Sequence, residues 1–81
     1  MRKYTTEFLQ YNADSTIFSN CNSIAFINSG AVAVTIDKFI LAAGASLAID
    51  GNENEQNITT YRITFGGASN GVLTVIRKYY I

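Results

Sequence analysis

The chain has 81 residues, of which 48% are hydrophobic and 15% are charged, and its six basic and six acidic residues give a formal net charge of zero. This length suits one small domain, and a single cysteine without histidine excludes an internal disulfide and the usual zinc-ligand sets. Soluble domains carry about 25% charged residues. The low charge therefore favours a surface that other subunits cover in part over the alternative, a modestly soluble monomer whose surface is covered by Asn, Ser and Thr.

The N-terminal third has no strong period. Tyr4, Phe8 and Tyr11 are spaced to share a helix face, but the β-favouring residues around Thr5 suit an extended segment equally well. We expect residues 1–22 to form an extended N-terminal arm or edge strand, and residues 23–81 a β-sandwich domain, within a single domain overall. Tyr4, Phe8 and Tyr11 are the candidates for docking on a partner.

Residues with a two-residue period or a high β-propensity dominate the rest of the chain. They form runs at 24–28, 31–36, 39–42, 45–50, 61–65 and 72–80. Turn signals separate the runs at 28–30, 37–38, 43–44 and 66–71, and residues 50–59 form one long polar loop. This spacing predicts an all-β fold, a compact β-sandwich or jelly-roll-like barrel of about seven short antiparallel strands.

Several alanines stand where a solvated strand would carry long polar side chains, and the last run is apolar on both faces. Such flat faces let another chain approach closely, although a rolled core within one chain would explain them too. We interpret them as self-association surfaces of a homo-oligomer, a trimer or pentamer. The candidate residues are Ala31, Ala33, Ala48, Tyr79 and Tyr80.

The charges are grouped along the sequence. Four of the six basic residues lie near the chain ends, and three of the six acids lie in the long loop. If the ends and the loop lie apart, the subunit has a basic pole and an acidic pole that could support contacts between subunits. The alternative is an ordinary solvated loop with strand-end charges. The residues concerned are Arg2, Lys3, Arg77 and Lys78, and Asp50, Glu53 and Glu55.

Catalytic chemistry has little support in the sequence, which predicts a non-enzymatic protein without a cofactor. Cys21 has no base beside it and is expected to be a small buried side chain. The segment from Asp50 to Glu55 alternates oxygen ligands like a calcium loop, but its sixth position is Glu55 and its twelfth is Tyr61. A looser cation site in this loop stays open.

Two binding functions are alternatives. Bases and aromatics interleave at 77–80, as in single-strand nucleic-acid binders, but the zero net charge disfavours nucleic acid as a partner. A monomeric β-sandwich that binds carbohydrate could use Tyr11, Tyr61, Tyr79 or Tyr80 as stacking platforms. The longest apolar stretch, 39–43, is too short to span a bilayer, so no membrane partner is expected.

The segments 26–30, 34–37 and 41–49 place an Asn-rich turn, a short Val/Ile strand and a glycine turn before a Ser-Leu-Ala-Ile strand, and 61–65 and 73–77 continue in the same style. This arrangement resembles small structural proteins of tailed bacteriophages, with a departure at Ala43, where proline commonly precedes the glycine. The resemblance implies a capsid decoration protein, a head-fibre base, or a small tail or neck subunit. Such a protein is made in the host cytoplasm, docks on a larger capsid or tail protein and resides in the virion.

Overall fold

A computed structural model describes residues 1–81 and contains eight β-strands and no helix. The strands form two four-stranded sheets, a first sheet in the order β1-β8-β3-β6 and a second in the order β2-β7-β4-β5, and every neighbouring pair is antiparallel. The predicted all-β class is therefore confirmed. The strands are β1 (Tyr4–Tyr11), β2 (Ser15–Phe18), β3 (Ser23–Asn28), β4 (Val34–Ile36), β5 (Phe39–Leu41), β6 (Ser46–Ile49), β7 (Thr60–Thr64) and β8 (Leu73–Tyr80).

The strands pair in a nested pattern. β1 pairs with β8, β2 with β7, β3 with β6 and β4 with β5, so the chain forms one long antiparallel ribbon. Alternate pairs of this ribbon fall into alternate sheets. The contacts of β3 with β8 and of β4 with β7 then complete each sheet.

The N-terminal segment differs in part from the prediction. Tyr4–Tyr11 is an edge strand of the first sheet, but Ser15–Phe18 forms a further strand that pairs with β7 in the second sheet. The Asp14 carboxylate fixes this crossing by accepting a hydrogen bond of 2.8 Å from the Phe65 backbone N–H. The strand count is consequently eight, where the sequence predicts about seven.

The core lies between the inner faces of the two sheets. Alternate residues along the strands are buried, as the two-residue period predicts, and Phe26 of the first sheet meets Tyr61 of the second with ring centroids 5.1 Å apart. β8 lies between β1 and β3 and is apolar on both faces, with Leu73 and Val75 in the core and Ile76 on the outer face of the sheet. The buried apolar residues are Ile17, Cys21, Ile24, Phe26, Val34, Ile36, Leu41, Tyr61, Ile63, Phe65, Leu73 and Val75.

The run at 31–36 is a strand only over Val34–Ile36. The buried Asn28 side chain explains the difference, because its Nδ2 donates to the Val32 carbonyl at 2.9 Å and its Oδ1 accepts from the Gly30 N–H at 3.1 Å. These bonds hold the residues before Val34 in a loop. The expectation that Ala31 and Ala33 lie on a strand face is therefore wrong; both are exposed in the β3–β4 loop.

Candidate interaction surface on the first sheet

The outer face of the first sheet is almost free of charge. Its side chains alternate with those that pack into the core, and Lys78 is the only charged residue among them. A solvated face of an antiparallel sheet normally carries more polar and charged side chains. The outward residues are Tyr4, Thr6, Phe8 and Gln10 on β1, Thr74, Ile76, Lys78 and Tyr80 on β8, Ser23, Ala25 and Ile27 on β3, and Ser46 and Ala48 on β6.

An apolar row crosses this face from edge to edge. The strand registers place Phe8 opposite Ile76, Ile76 opposite Ala25, and Ala25 opposite Ala48. Phe8 is 67% exposed, and Ile27 in the neighbouring row is 37% exposed. The row therefore presents side chains that gain free energy when another apolar surface covers them. We call it the apolar row.

The one charged strand residue on the face lies among aromatic rings, and Asp50, which directly follows β6, lines the same surface depression. Lys78 Nζ is 4.4 Å from the ring centroid of Tyr4 and 4.8 Å from that of Tyr80, within the range of cation–π attraction. The two rings meet edge to face at 6.1 Å. A hydrogen bond to the Tyr80 side chain raises the pKa of Lys78. This end of the face is therefore an aromatic cluster around a positive charge, with the Asp50 carboxylate beside it.

The outer face of the second sheet has a different character. It carries threonines on three strands together with Arg62, and its two exposed apolar residues, Phe18 and Ile40, lie on opposite edge strands. The residues between them are polar and match an ordinary solvated face. The two outer faces of the protein are thus unequal, and the first sheet carries the candidate interaction surface.

The predicted interaction residues fall into three places. Tyr4 and Phe8, predicted to dock a partner, and Ala48 and Tyr80, predicted to self-associate, share the outer face of the first sheet. Tyr11 and Tyr79 turn inward and pack against the core, and the loop residues Ala31 and Ala33 lie off the sheet.

Sequence reasoning did not include Ala25 and Ile76 among the interaction residues, although they form the centre of the apolar row. The signal was present in the alternation of the run at 72–80, which assigns Ile76 to the face opposite Leu73 and Val75.

The prediction of separate basic and acidic poles is wrong. Arg2 Nε lies 3.2 Å from the Glu53 carboxylate, and Asn22 Nδ2 donates to the Glu55 carbonyl at 2.6 Å, so the long loop lies beside the chain ends. Arg77 forms a second ion pair with Glu7 across β1 and β8. The nested ribbon brings these charges together, and the opposite signs compensate at one end of the molecule.

The two glutamates of the long loop have protein partners. Glu55 Oε1 accepts a 2.9 Å hydrogen bond from the Asn52 N–H, and Glu53 pairs with Arg2. No group of three or more histidine, cysteine, aspartate or glutamate side chains is arranged to hold a metal ion. Cys21 is buried, as predicted, and this burial raises the pKa of its thiol.

The aromatic platforms proposed for carbohydrate binding are largely occupied. Tyr61 is 7% exposed, and its ring lies against Phe26, while Tyr11 and Tyr79 pack against the core from the inner face. Tyr79 Oη also donates to Glu7 Oε1 at 3.3 Å, and burial raises the pKa of the Tyr79 hydroxyl. The segment 77–80, in which basic and aromatic residues interleave, is divided between the two faces of the sheet. Arg77 and Tyr79 point inward, and Lys78 and Tyr80 point outward.

A groove opens between the sheets at the edge formed by β5 and β6. It has a volume of about 480 Å³ and is lined by Ile36, Phe39, Leu47, Ile49 and Tyr61, with Asp37 and Lys38 at its rim. The opposite edge is closed by Arg77, whose Nη1 reaches the Phe18 carbonyl of the second sheet.

Comparisons with known protein families, with curated proteins and with solved structures found no match to this chain. The structure contains no helix that could cross a membrane. The geometry of the chain itself is therefore the basis for the functional proposal.

Proposed function

We propose that this protein is a non-enzymatic structural subunit of a bacteriophage virion, which self-associates and docks on a larger capsid or tail protein. The observation that carries the proposal is the nearly uncharged outer face of the first sheet with its apolar row. A contiguous exposed apolar surface on a small domain marks an interaction site. The same face holds residues predicted for self-association and for docking, so one surface serves assembly.

The strand order supports this function. We assign the fold to the jelly-roll type, because its eight strands form a nested ribbon whose alternate pairs lie in alternate sheets. Jelly rolls occur in viral capsid domains, and also in lectins and cupins. Fold likeness alone does not define a function, so it adds to the argument from the surface and does not replace it.

The state of the reactive side chains also supports a structural role. Cys21 is buried, Glu7 is held by Arg77, and Glu53 is held by Arg2. These three groups, which could act as a nucleophile or a general base, are thus engaged in packing or in an ion pair. These contacts organise the subunit, which is the task of an assembly component.

Light scattering of the purified chain over a concentration series tests the proposal. We expect a homo-oligomer, and we expect Ala48→Glu to weaken it by placing a charge at the end of the apolar row. Thr16→Glu, at an exposed position on the outer face of the second sheet, is the matched control and should leave the mass unchanged. Circular dichroism should show a folded β-domain for all three proteins.

Two results would contradict this assignment: an 8.9 kDa wild-type monomer at millimolar concentration, or equal oligomerisation of Ala48→Glu and wild type. Ala33→Glu in the same series tests the sequence prediction that the β3–β4 loop contributes. Binding of a glycan that Tyr80→Ala abolishes would favour the carbohydrate-binding alternative, since Tyr80 is the predicted platform that lies on the outer face, beside Tyr4.

A further inference from the structure

The free edge of β1 differs from the other three sheet edges. β1 has eight residues, whereas the edge strands β2, β5 and β6 have four, three and four. Its register with β8 runs without interruption, so it contains no bulge, and the chain contains no proline. Long, regular edge strands without such protection are templates for pairing with another strand.

The hydrogen-bond pattern shows which backbone groups are free. Ile81 donates from its N–H to the Lys3 carbonyl at 3.0 Å, and these two residues continue the β1–β8 register. Hydrogen-bonded pairs alternate along an antiparallel ladder, so the odd-numbered residues of β1 are bonded to β8. The N–H and C=O groups of Tyr4, Thr6, Phe8 and Gln10 therefore point to the open edge.

We propose that this edge pairs with β1 of a second copy of the chain, antiparallel and two-fold symmetric about Phe8. Phe8 then lies opposite Phe8 of the second copy, and Thr6 lies opposite Gln10 in both directions. All three positions have free backbone groups, which gives about six hydrogen bonds between the chains. The two first sheets become one continuous eight-stranded sheet.

The charge distribution favours this register. Glu7 is the only charged residue of β1, and centring the pair on Glu7 would place the two carboxylates directly opposite each other, which is destabilising. Centring on Leu9 would place Thr6 opposite Asn12, beyond the end of the strand. Centring on Phe8 instead places each Glu7, already paired with Arg77, opposite Leu9.

The same register also joins the two apolar rows. Phe8 is at the β1 end of the row, so the two-fold axis brings the two Phe8 rings into contact on the outer face. The row then runs without interruption from Ala48 of one copy to Ala48 of the other. The proposal rests on the self-association part of the proposed function and identifies the edge, the partner and the register.

Substitutions at Thr6 test the edge contact. Thr6→Pro removes an N–H that points to the open edge and leaves the β1–β8 bonds in place, and proline is accepted at such positions of edge strands. We expect wild type to contain a dimer of twice 8.9 kDa, and Thr6→Pro to raise its dissociation constant at least about tenfold. Thr6→Val keeps the N–H and should stay within about twofold of wild type.

Cysteine cross-linking tests the register and remains decisive if Thr6→Pro does not fold. Opposed residues of a hydrogen-bonded pair have Cα atoms about 5.5 Å apart, which a disulfide can bridge. Phe8→Cys should therefore form a disulfide-linked dimer, whereas Thr6→Cys should not, because the two Thr6 residues lie roughly 13 Å apart along the strands. Wild type, which carries only the buried Cys21, is the control.

The outcomes separate this proposal from association through the outer face. Ala48 lies on the far edge strand, so Ala48→Glu should reduce only the oligomers larger than a dimer, which form through the outer face, and should preserve the β1 dimer and the Phe8→Cys cross-link. If Ala48→Glu abolishes association and Thr6→Pro does not, the face is the contact and the edge proposal is wrong. Cross-linking of Thr6→Cys in place of Phe8→Cys, or a wild type that stays monomeric, also overturns it.

Discussion

Arg77 donates a 2.8 Å hydrogen bond from Nη1 to the carbonyl oxygen of Phe18, so a side chain of the first sheet holds the backbone of the second. A second bond of 3.3 Å reaches the Ser19 carbonyl, and the Arg77 guanidinium also pairs with Glu7. One planar group thus closes the edge of the fold beside β1, while the edge beside β5 and β6 stays open as a groove. The same contacts position the strand that we propose as the dimer edge.

Arg77→Lys should destabilise the protein by about 1–2 kcal/mol. Lysine keeps the positive charge but lacks the planar fork that serves Glu7 and the second sheet at once. The loss stays moderate because Arg77 Nε is buried without a partner in the native protein, and lysine removes this group. Urea denaturation at neutral pH measures the change. Arg62→Lys, at an exposed position, is the control, and an equal effect of the two substitutions would contradict the bridging role.

Asn28→Asp should destabilise the protein by about 2–4 kcal/mol at pH 7. The Asn28 side chain is fully buried, and its Nδ2 donates to the carbonyls of Val32 and Leu41, both at 2.9 Å. An aspartate of the same shape would place a carboxylate against two acceptors. Chemical denaturation measures the loss, and Asn12→Asp at an exposed turn position should change stability little.

The pH dependence of this variant provides a second test. Burial among acceptors raises the pKa of a carboxyl group above its usual value of about 4. The folded variant then retains its proton at a pH where the unfolded chain has lost it, so its stability falls as the pH rises from acid to neutral. Asn28→Asp should therefore approach wild type at low pH. A constant difference between the two proteins from pH 3 to pH 7 would contradict this account.

Local alternation was sufficient to predict the strand faces where large side chains alternate without interruption. The run at 61–65 is buried at alternate positions, and the run at 72–80 directs Leu73 and Val75 inward. The outer apolar row required the register of four strands, because Phe8 and Ala48 become members of one row only through Ile76 and Ala25. No local pattern contains that information.

The errors of sequence reasoning have a common physical cause. Asn28 looks like a turn residue in the sequence, but its side chain captures the Val32 carbonyl and prevents the first half of the run at 31–36 from joining a sheet. The long loop and the chain ends carry opposite charges, and the ribbon brings them together. In both cases a side-chain contact that the strand pattern does not show decides the outcome and overrides local propensity.

Gly51→Ala should destabilise the protein more than Gly44→Ala. A Cβ at Gly51 would overlap the Asn22 carbonyl oxygen, and neither backbone segment can move freely, since Ser23 Oγ accepts from the Gly51 N–H at 3.0 Å. Gly44 faces open space, and its φ of +82° makes alanine cost only about 1–2 kcal/mol. Thermal unfolding of the two variants side by side measures the difference. Equal midpoints would indicate that the long loop is not fixed against Asn22.

The stability of the protein should decrease at alkaline pH through Cys21 and Tyr79. Burial raises the pKa of the Cys21 thiol above its ordinary value of 9.0 and that of the Tyr79 hydroxyl above 10.0. Above pH 9 the unfolded chain loses the thiol proton while the folded protein retains it, so the free energy of unfolding falls as the pH rises. Below pH 8 neither group contributes to the pH dependence.

Urea denaturation of wild type, Cys21→Ala and Tyr79→Phe between pH 7 and pH 10.5 measures this effect, with a reducing agent present. Each retained proton lowers the free energy of unfolding by at most about 1.4 kcal/mol per pH unit. Cys21→Ala should delay the onset of the decline toward pH 10, and Tyr79→Phe should flatten only its upper part, because the hydroxyl titrates above the thiol. A decline that begins at pH 9 in Cys21→Ala with the wild-type slope would show that other groups cause it.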